Sequence, residues 1–255
     1  MPDTRHHKTV LITGAARRIG RAIALDMAAH GWSVGIHYRR SGEEAERLAE
    51  KIRAAGGTAA ALPGNLANID DVQSLIPRCA SALAPPTCLI NNASEFFLDA
   101  ITSLSPEGWD THLDINLKAP VFLAQSLFLN LPDDVEGNVI NIIDQRVWRL
   151  TPEFFSYTIS KAGLWTATQT LAQAMAPRIR VNAIGPGPVL KSVHQTDEEF
   201  EREKESTLLN RGTTPEEIAA AVRFILDAPS MTGQMIALDA GQHLTSGGSA
   251  NQRSR

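Results

Sequence analysis

Thr9-Val10-Leu11-Ile12-Thr13-Gly14-Ala15-Ala16-Arg17-Arg18-Ile19-Gly20 reads as a short buried strand that runs into a glycine turn. Residues 21–30 then carry a helical pattern, which Gly31 ends. A strand, a glycine turn and a helix N-terminus together make an anion site. Free backbone N–H groups point outward there, and the helix dipole favours negative charge. Gly14 lets the chain turn, and Gly20 lets the helix lie close to the sheet. The pattern is the opening βα unit of a dinucleotide-binding fold, with Gly14, Arg18, Ile19 and Gly20 around a pyrophosphate.

The next apolar run, 33–38, ends in Arg39-Arg40-Ser41. In such a fold this point, about twenty residues past the glycines, meets the adenosine ribose. A carboxylate here would suit a free 2′-hydroxyl. Tyr38, Arg40 and Ser41 instead offer a cation and hydroxyls, which suit a 2′-phosphate. Arg18 adds a second cation from the turn. The expected cofactor is NADPH.

Beyond this point strand and helix patterns alternate. Helices are expected over 43–55, 69–83, 154–176 and 215–227, and strands over 58–62, 88–90, 138–143, 180–184 and 235–239. Residues 106–130 hold two helical stretches divided near Lys118-Ala119-Pro120. Repeated βα units imply parallel strands with right-handed crossovers. The fold class is α/β: a single-domain, doubly wound Rossmann sheet of about seven strands. Ligands of such sheets bind beyond the carboxyl ends of the strands. Gly14, Arg40, Asn65, Asn92-Ala93-Ser94, Asp144 and Gly185-Pro186-Gly187 all follow expected strands, so they converge on one edge.

Tyr157 and Lys161 stand four apart, about one helical turn, on one face of the helix expected over 154–176. An ammonium beside a phenol favours the phenolate, so Lys161 is expected to lower the Tyr157 pKa. A positioned Tyr that gives a proton while a hydride arrives at the adjacent atom is what a nicotinamide-dependent reductase needs.

These pieces carry a resemblance. From about 8 to 244 the chain resembles the short-chain dehydrogenases/reductases, with Thr13-Gly14 and Gly20, Asn91-Asn92-Ala93-Ser94, Asn116, Tyr157 and Lys161, and Pro186-Gly187 in that family's order and spacing. Within the family it is most similar to pteridine reductases and the related dihydromonapterin reductases. That likeness rests on Gly14-Ala15-Ala16-Arg17-Arg18-Ile19-Gly20, His37-Tyr38-Arg39-Arg40-Ser41, Asn92-Ala93-Ser94-Glu95-Phe96 and Asp144. Two positions depart from the broad family. Arg18 stands where a middle glycine is usual, and Asp144 stands thirteen residues before Tyr157, where a serine is usual. A serine hydroxyl donates to a carbonyl; an ionised aspartate only accepts. Asp144 therefore suits a heterocycle that offers N–H groups beside a reducible C=N bond, and the resemblance to pteridine reductases points the same way.

The resemblance implies further roles. Asn116 would hold a helix kink and a water linking Lys161 to solvent. Asn65 and Leu66 would flank the adenine. Asn92, Ala93 and Ser94 would line the cofactor, and Lys161 would hold the nicotinamide ribose. Pro186, Gly187 and Val189 would bracket the nicotinamide. Ser94, Phe96, Asp144 and Tyr157 would meet substrate, with Phe96 stacking on its flat ring. Residues 190–211 would form a lid within a domain spanning 1–244, and the protein would be a homotetramer. Gln145, Arg146 and Trp148 sit where they could shape the substrate end.

Composition bounds this reading. With 255 residues the chain can bury one large core. A net charge of −4 argues against a general nucleic-acid role. Cys79 and Cys88 have no metal or redox spacing and read as reduced packing residues of a cytoplasmic protein. No apolar run is long enough to span a membrane, and residues 1–8 are too polar for a secretory signal. The Gly/Ser-rich tail over 245–255 is expected to be flexible. The leading expectation is NADPH-dependent hydride transfer to a C=N bond of a dihydropterin-like substrate. The alternatives are a reductase of a ketone, sugar or 3-oxoacyl substrate, and a non-catalytic nucleotide-binding regulator.

Overall fold

Strand β1 (Thr9–Ile12) is buried along its whole length, so it lies inside the sheet with both faces covered. Val10 and Ile12 face one side, where they pack with Ile23 and Met27 of helix α1 (Arg18–Ala29). Leu11 faces the other side, against Leu75, Leu123 and Leu127. This alternation gives the domain two apolar layers, one on each face of a single sheet. The computed structural model describes residues 8–192 and 195–245. The readings made above for 1–7 and for all but the first residue of the tail lie outside the described residues.

The next elements alternate: β2 (Ser33–Tyr38), α2 (Gly42–Ala54), β3 (Ala59–Pro63), α3 (Ile69–Ala82), β4 (Cys88–Asn91) and α4 (Pro106–Leu113). A π-helical turn (Asp114–Lys118) joins α4 to α5 (Ala119–Asn130). Then come β5 (Gly137–Ile142), α6 (Phe155–Met175), β6 (Ile179–Pro186), α7 (Asp197–Glu205), α8 (Pro215–Leu226) and β7 (Met235–Leu238). The seven strands are all parallel in the order β3-β2-β1-β4-β5-β6-β7. The order reverses beside β1, so β1 and β4 splay their following loops apart and open a crevice at their carboxyl ends.

Two expected boundaries shift. Helix α1 starts at Arg18, before Gly20, because Arg17 is extended (φ −139°, ψ 166°) and the helical turn closes directly behind it. The expected break near Pro120 is instead the π turn. Pro120 offers no N–H to the Asn116 carbonyl, and the helix widens by one residue rather than stopping. Among the described residues no helix is long and apolar enough to cross a membrane, and no cluster of His, Cys, Asp or Glu could hold a metal ion. Cys79 and Cys88 are buried, and burial pushes both thiols up to about 12, so neither is a nucleophile.

Candidate active site

A cleft of about 1130 Å³ opens where the carboxyl ends of β1, β2, β4, β5 and β6 meet. Its nucleotide end is built on the turn after β1. Gly14 has φ +63°, and a Cβ there would lie 3.0 Å from Ala93 Cα. A Cβ on Gly20 would lie 2.5 Å from the Gly14 carbonyl oxygen and 2.6 Å from Asn92 Nδ2. Both glycines are therefore required by backbone shape and close approach. The turn is locked from below. The N–H groups of Asn92 and Ala93 donate to Thr13 Oγ1 at 2.9 and 3.0 Å, and Asn92 Nδ2 donates to the Thr13 carbonyl at 2.8 Å. His37 on β2 braces it from the side. Its Nδ1 accepts the Gly14 N–H at 3.1 Å, which leaves Nε2 to donate to the Gly64 carbonyl at 3.2 Å. Burial lowers the His37 pKa to about 4, so the ring is neutral in this role.

Four arginines surround this end. Arg17 pairs with Glu44, and Arg39 pairs with Glu95 at 2.7 Å. Arg18 also lines the cleft, with its side chain engaged by the chain beyond β6. Its backbone is left-handed (φ +53°), and its guanidinium donates to the carbonyls of Leu190 and Lys191, both at 2.9 Å. Arg40 lines the cleft beside Tyr38 and Ser41 and has no carboxylate partner among the described residues. Leu66 lines the cleft, but Asn65 does not. Asn65 Oδ1 accepts the Ala67 N–H at 3.3 Å, so its side chain closes the turn after β3 rather than facing an adenine.

At the other end, Asp144 follows β5 and Tyr157 lies in the first turns of α6. The Tyr157 hydroxyl donates to Asp144 Oδ2 at 2.9 Å. Arg146 N–H donates to Asp144 Oδ1 at 2.8 Å. Lys161 Nζ donates to the Ile142 carbonyl at 2.9 Å and sits 5.8 Å from the Tyr157 ring centre. Burial raises the Asp144 pKa and lowers that of Lys161 to about 8. Tyr157 runs opposite to expectation. Burial, then the negative charge and hydrogen bond of Asp144, push the phenol well above its ordinary value, with Arg146 and the Ser94 hydroxyl acting the other way. The Lys161 ammonium, 5.8 Å from the ring, does not outweigh burial and Asp144.

Asn116 sits in the π turn, fully buried. Its Oδ1 accepts from Ser94 Oγ (3.1 Å) and the Glu95 N–H (2.9 Å), and its Nδ2 donates to the Glu95 carbonyl (3.0 Å) and Ser160 Oγ (3.1 Å). Every position of that amide is filled. The side chain fastens the loop after β4 to α6. Phe96 lines the cleft and stacks on Phe154 at 4.5 Å, so one of its faces is already covered. Pro186, Gly187 and Val189 line the same cleft as Ser94 and Lys161. Leu190, Ser192 and Gln195, with Glu199, Phe200 and Glu203 of α7, line the cleft as well.

The family model described as Enoyl-(Acyl carrier protein) reductase matches residues 14–243. The chain is a short-chain dehydrogenase/reductase. Its fold matches the FolM alternative dihydrofolate reductase 1 of Brucella suis, solved in complex with NADP, with 49% identity, a TM-score of 0.92, and coverage of 94% of this chain and 96% of that one. The Brucella canis protein of the same name, also complexed with NADP, is 48% identical with a TM-score of 0.93 over 96% and 97% of the two chains. The 3-oxoacyl-[acyl-carrier-protein] reductase FabG of Staphylococcus aureus (strain Mu50) is 32% identical over 244 residues, 93% of this chain and 98% of the relative.

In this short-chain dehydrogenase/reductase several site residues had no reading of their own in the sequence. His37 carried only a place in a motif, although a lone His at an inward position of a buried strand is a polar group that must find partners. Arg146 did have a reading, as a residue shaping the substrate end; it lines the cleft with its guanidinium 4.9 Å from the centre of the Phe154 ring, a contact the sequence did not signal. Phe154 takes the left-handed conformation (φ +55°) just before α6, which nothing in its residue type announces.

Proposed function

We propose that this enzyme uses NADPH to reduce a C=N bond of a pteridine. The observation that carries the reading is the carboxylate of Asp144 at hydrogen-bond distance from the Tyr157 hydroxyl, in the position where the broad family uses a hydroxyl donor. The cofactor assignment is supported by a turn that side chains at 14 and 20 would fill, by Arg40 lacking a carboxylate partner among the described residues, and by relatives solved with NADP. When bound, NADPH supplies the hydride. The residues of the chain do the rest. Gly14 to Gly20 hold the pyrophosphate, and Arg40 and Ser41 hold the 2′-phosphate. Lys161 holds the nicotinamide ribose.

Asp144 accepts N–H groups of the substrate ring and so orients it. Tyr157 stays protonated through the neutral range, because burial and Asp144 both favour the neutral phenol. It is therefore a source of the proton that must reach the ring nitrogen as the adjacent carbon takes the hydride. The two changes together turn C=N into CH–NH. A carbonyl substrate meets an acceptor rather than a donor at Asp144, which weighs against the 3-oxoacyl reading that the FabG relatives suggest.

The test is NADPH oxidation, followed by absorbance, with dihydrobiopterin, dihydromonapterin, dihydrofolate, a 3-oxoacyl thioester and simple ketones. The expected result is a kcat/KM for one or more pteridines at least about 100-fold above every ketone, within the roughly 10⁴-fold that a site built to hydrogen-bond a substrate's N–H groups reaches. A preference for the thioester or the ketones overturns the reading.

A further inference from the structure

Behind the phenol lies a second polar cluster that the reaction above does not use. Asp99, His112 and Ser156 are buried at 4, 0 and 0% exposure and come from the loop after β4, from α4 and from the first turn of α6. The Ser156 N–H lies 3.2 and 3.3 Å from the two Asp99 carboxylate oxygens, and the Ser156 hydroxyl bonds to Oδ2. The Asp99 carbonyl accepts the Phe155 N–H at 3.3 Å. Helix α6 has no side-chain cap from its own N-cap residue, Phe154. Asp99, 57 residues upstream of Ser156, provides the cap, and a carboxylate is well placed at a helix N-terminus.

The donors and acceptors in this cluster can be ordered. A carboxylate only accepts, so the Ser156 hydroxyl gives its one proton to Asp99. Ser156 Oγ must then accept from His112 Nδ1, 2.6 Å away. His112 therefore carries its proton on Nδ1, and Nε2 is a bare acceptor. That matches the unpaired atom here, since His112 Nε2 is buried without a partner among the described residues. The ordered imidazole stacks on Phe97 with ring centres 3.8 Å apart and meets the Tyr157 ring edge-on at 5.8 Å. Phe96, in the loop that holds Asp99, also meets the Tyr157 ring edge-on, at 4.7 Å. Tyr157 directly follows the residue that Asp99 grips.

We propose that Asp99, Ser156 and His112 form a one-directional hydrogen-bond chain that positions the Tyr157 phenol from behind, with Asp99 as the residue that sets its direction. The proposal rests on Tyr157 being the proton donor of the reductase described above. All three side chains are sealed from the cleft, so they act through Tyr157 and touch neither cofactor nor substrate.

The experiment compares the wild-type enzyme with Asp99→Asn and Ser156→Ala. In wild type, ¹⁵N NMR of labelled histidine, assigned with His112→Gln, should give His112 as the Nδ1–H form. In Asp99→Asn the amide can donate to the Ser156 hydroxyl, which frees that proton for His112 and switches the ring to Nε2–H. The same variant should lose about 10- to 100-fold in kcat, the scale of a displaced reacting group, with the NADPH Kd within about twofold. Its Tyr157 absorbance titration should fall to lower pH as the bond to Asp144 loosens, a readout that needs no substrate. Ser156→Ala keeps the grip of Asp99 on the peptide N–H and should show the same kcat loss if Asp99→Asn does not fold. An Nε2–H ring in wild type overturns the proposal, as do an unmoved Tyr157 titration and kcat, or equal losses of kcat and NADPH affinity. Failure of every pteridine in the screen would sink the substrate reading while the tautomer and the phenol titration still decide this one.

Discussion

The Tyr157 hydroxyl donates to Asp144 Oδ2 at 2.9 Å, across the gap between the end of β5 and the start of α6. The bond makes the carboxylate the keeper of the phenol's proton. Asp144→Asn should remove the negative charge that follows burial among the causes of the raised pKa, so the Tyr157 ionisation should move to lower pH. Absorbance near the phenolate band reads it, because the chain has 2 tyrosines and Tyr157→Phe identifies the transition. A midpoint that stays or rises would contradict the electrostatic account.

Tyr157→Phe tests the proton donor itself. Turnover should drop by at least about 100-fold, the usual contribution of a positioned acid. NADPH affinity, read by the quenching of protein fluorescence, should change less than about twofold. Full turnover in this variant would remove Tyr157 from the reaction.

Arg40→Ala tests the 2′-phosphate. A charge-assisted hydrogen bond of about 1.5–3 kcal/mol corresponds to roughly a 10- to 150-fold rise in the NADPH KM. The NADH KM should stay within about twofold, since NADH lacks that phosphate. Parallel changes in the two constants would mean that Arg40 does not read it.

His37 supplies a pH signature in stability. Its folded pKa is about 4, against 6.5 for the free side chain, so the unfolded chain binds the proton more readily. Its contribution is fully present above pH 6.5 and is lost as pH falls toward 4. The shift amounts to roughly 3 kcal/mol. Urea unfolding at pH 7.5, 6 and 5 should show a shallower acid decline for His37→Gln than for wild type. Identical pH slopes would mean that the ring is not held neutral.

The order of the fold was legible because its signals are local. The break at Thr13-Gly14 and the run that feeds Asn92 each fall within a few residues, and β1 and β4 end there. Several features of the site were not legible, because they depend on distance in space. The rise in the Tyr157 pKa needs the carboxylate of another element and a shared burial that residue types do not encode. Lys161, one turn away along the same helix, gave the wrong sign because burial and the Asp144 carboxylate outweigh its ammonium. Asn65 follows a strand, as a binding residue would, yet its amide closes its own turn. The grip of Asp99 on Ser156 spans 57 residues and leaves no periodic trace.

Arg18 occupies a backbone region where glycine sits without penalty and other residues pay about 1–2 kcal/mol. In exchange the first βα crossover is tied to residues more than 170 positions later, where the segment toward α7 departs. The glycine turn and the wall of the cleft at Leu190 and Lys191 are thus mechanically linked, so a change of backbone at position 18 will be felt at both.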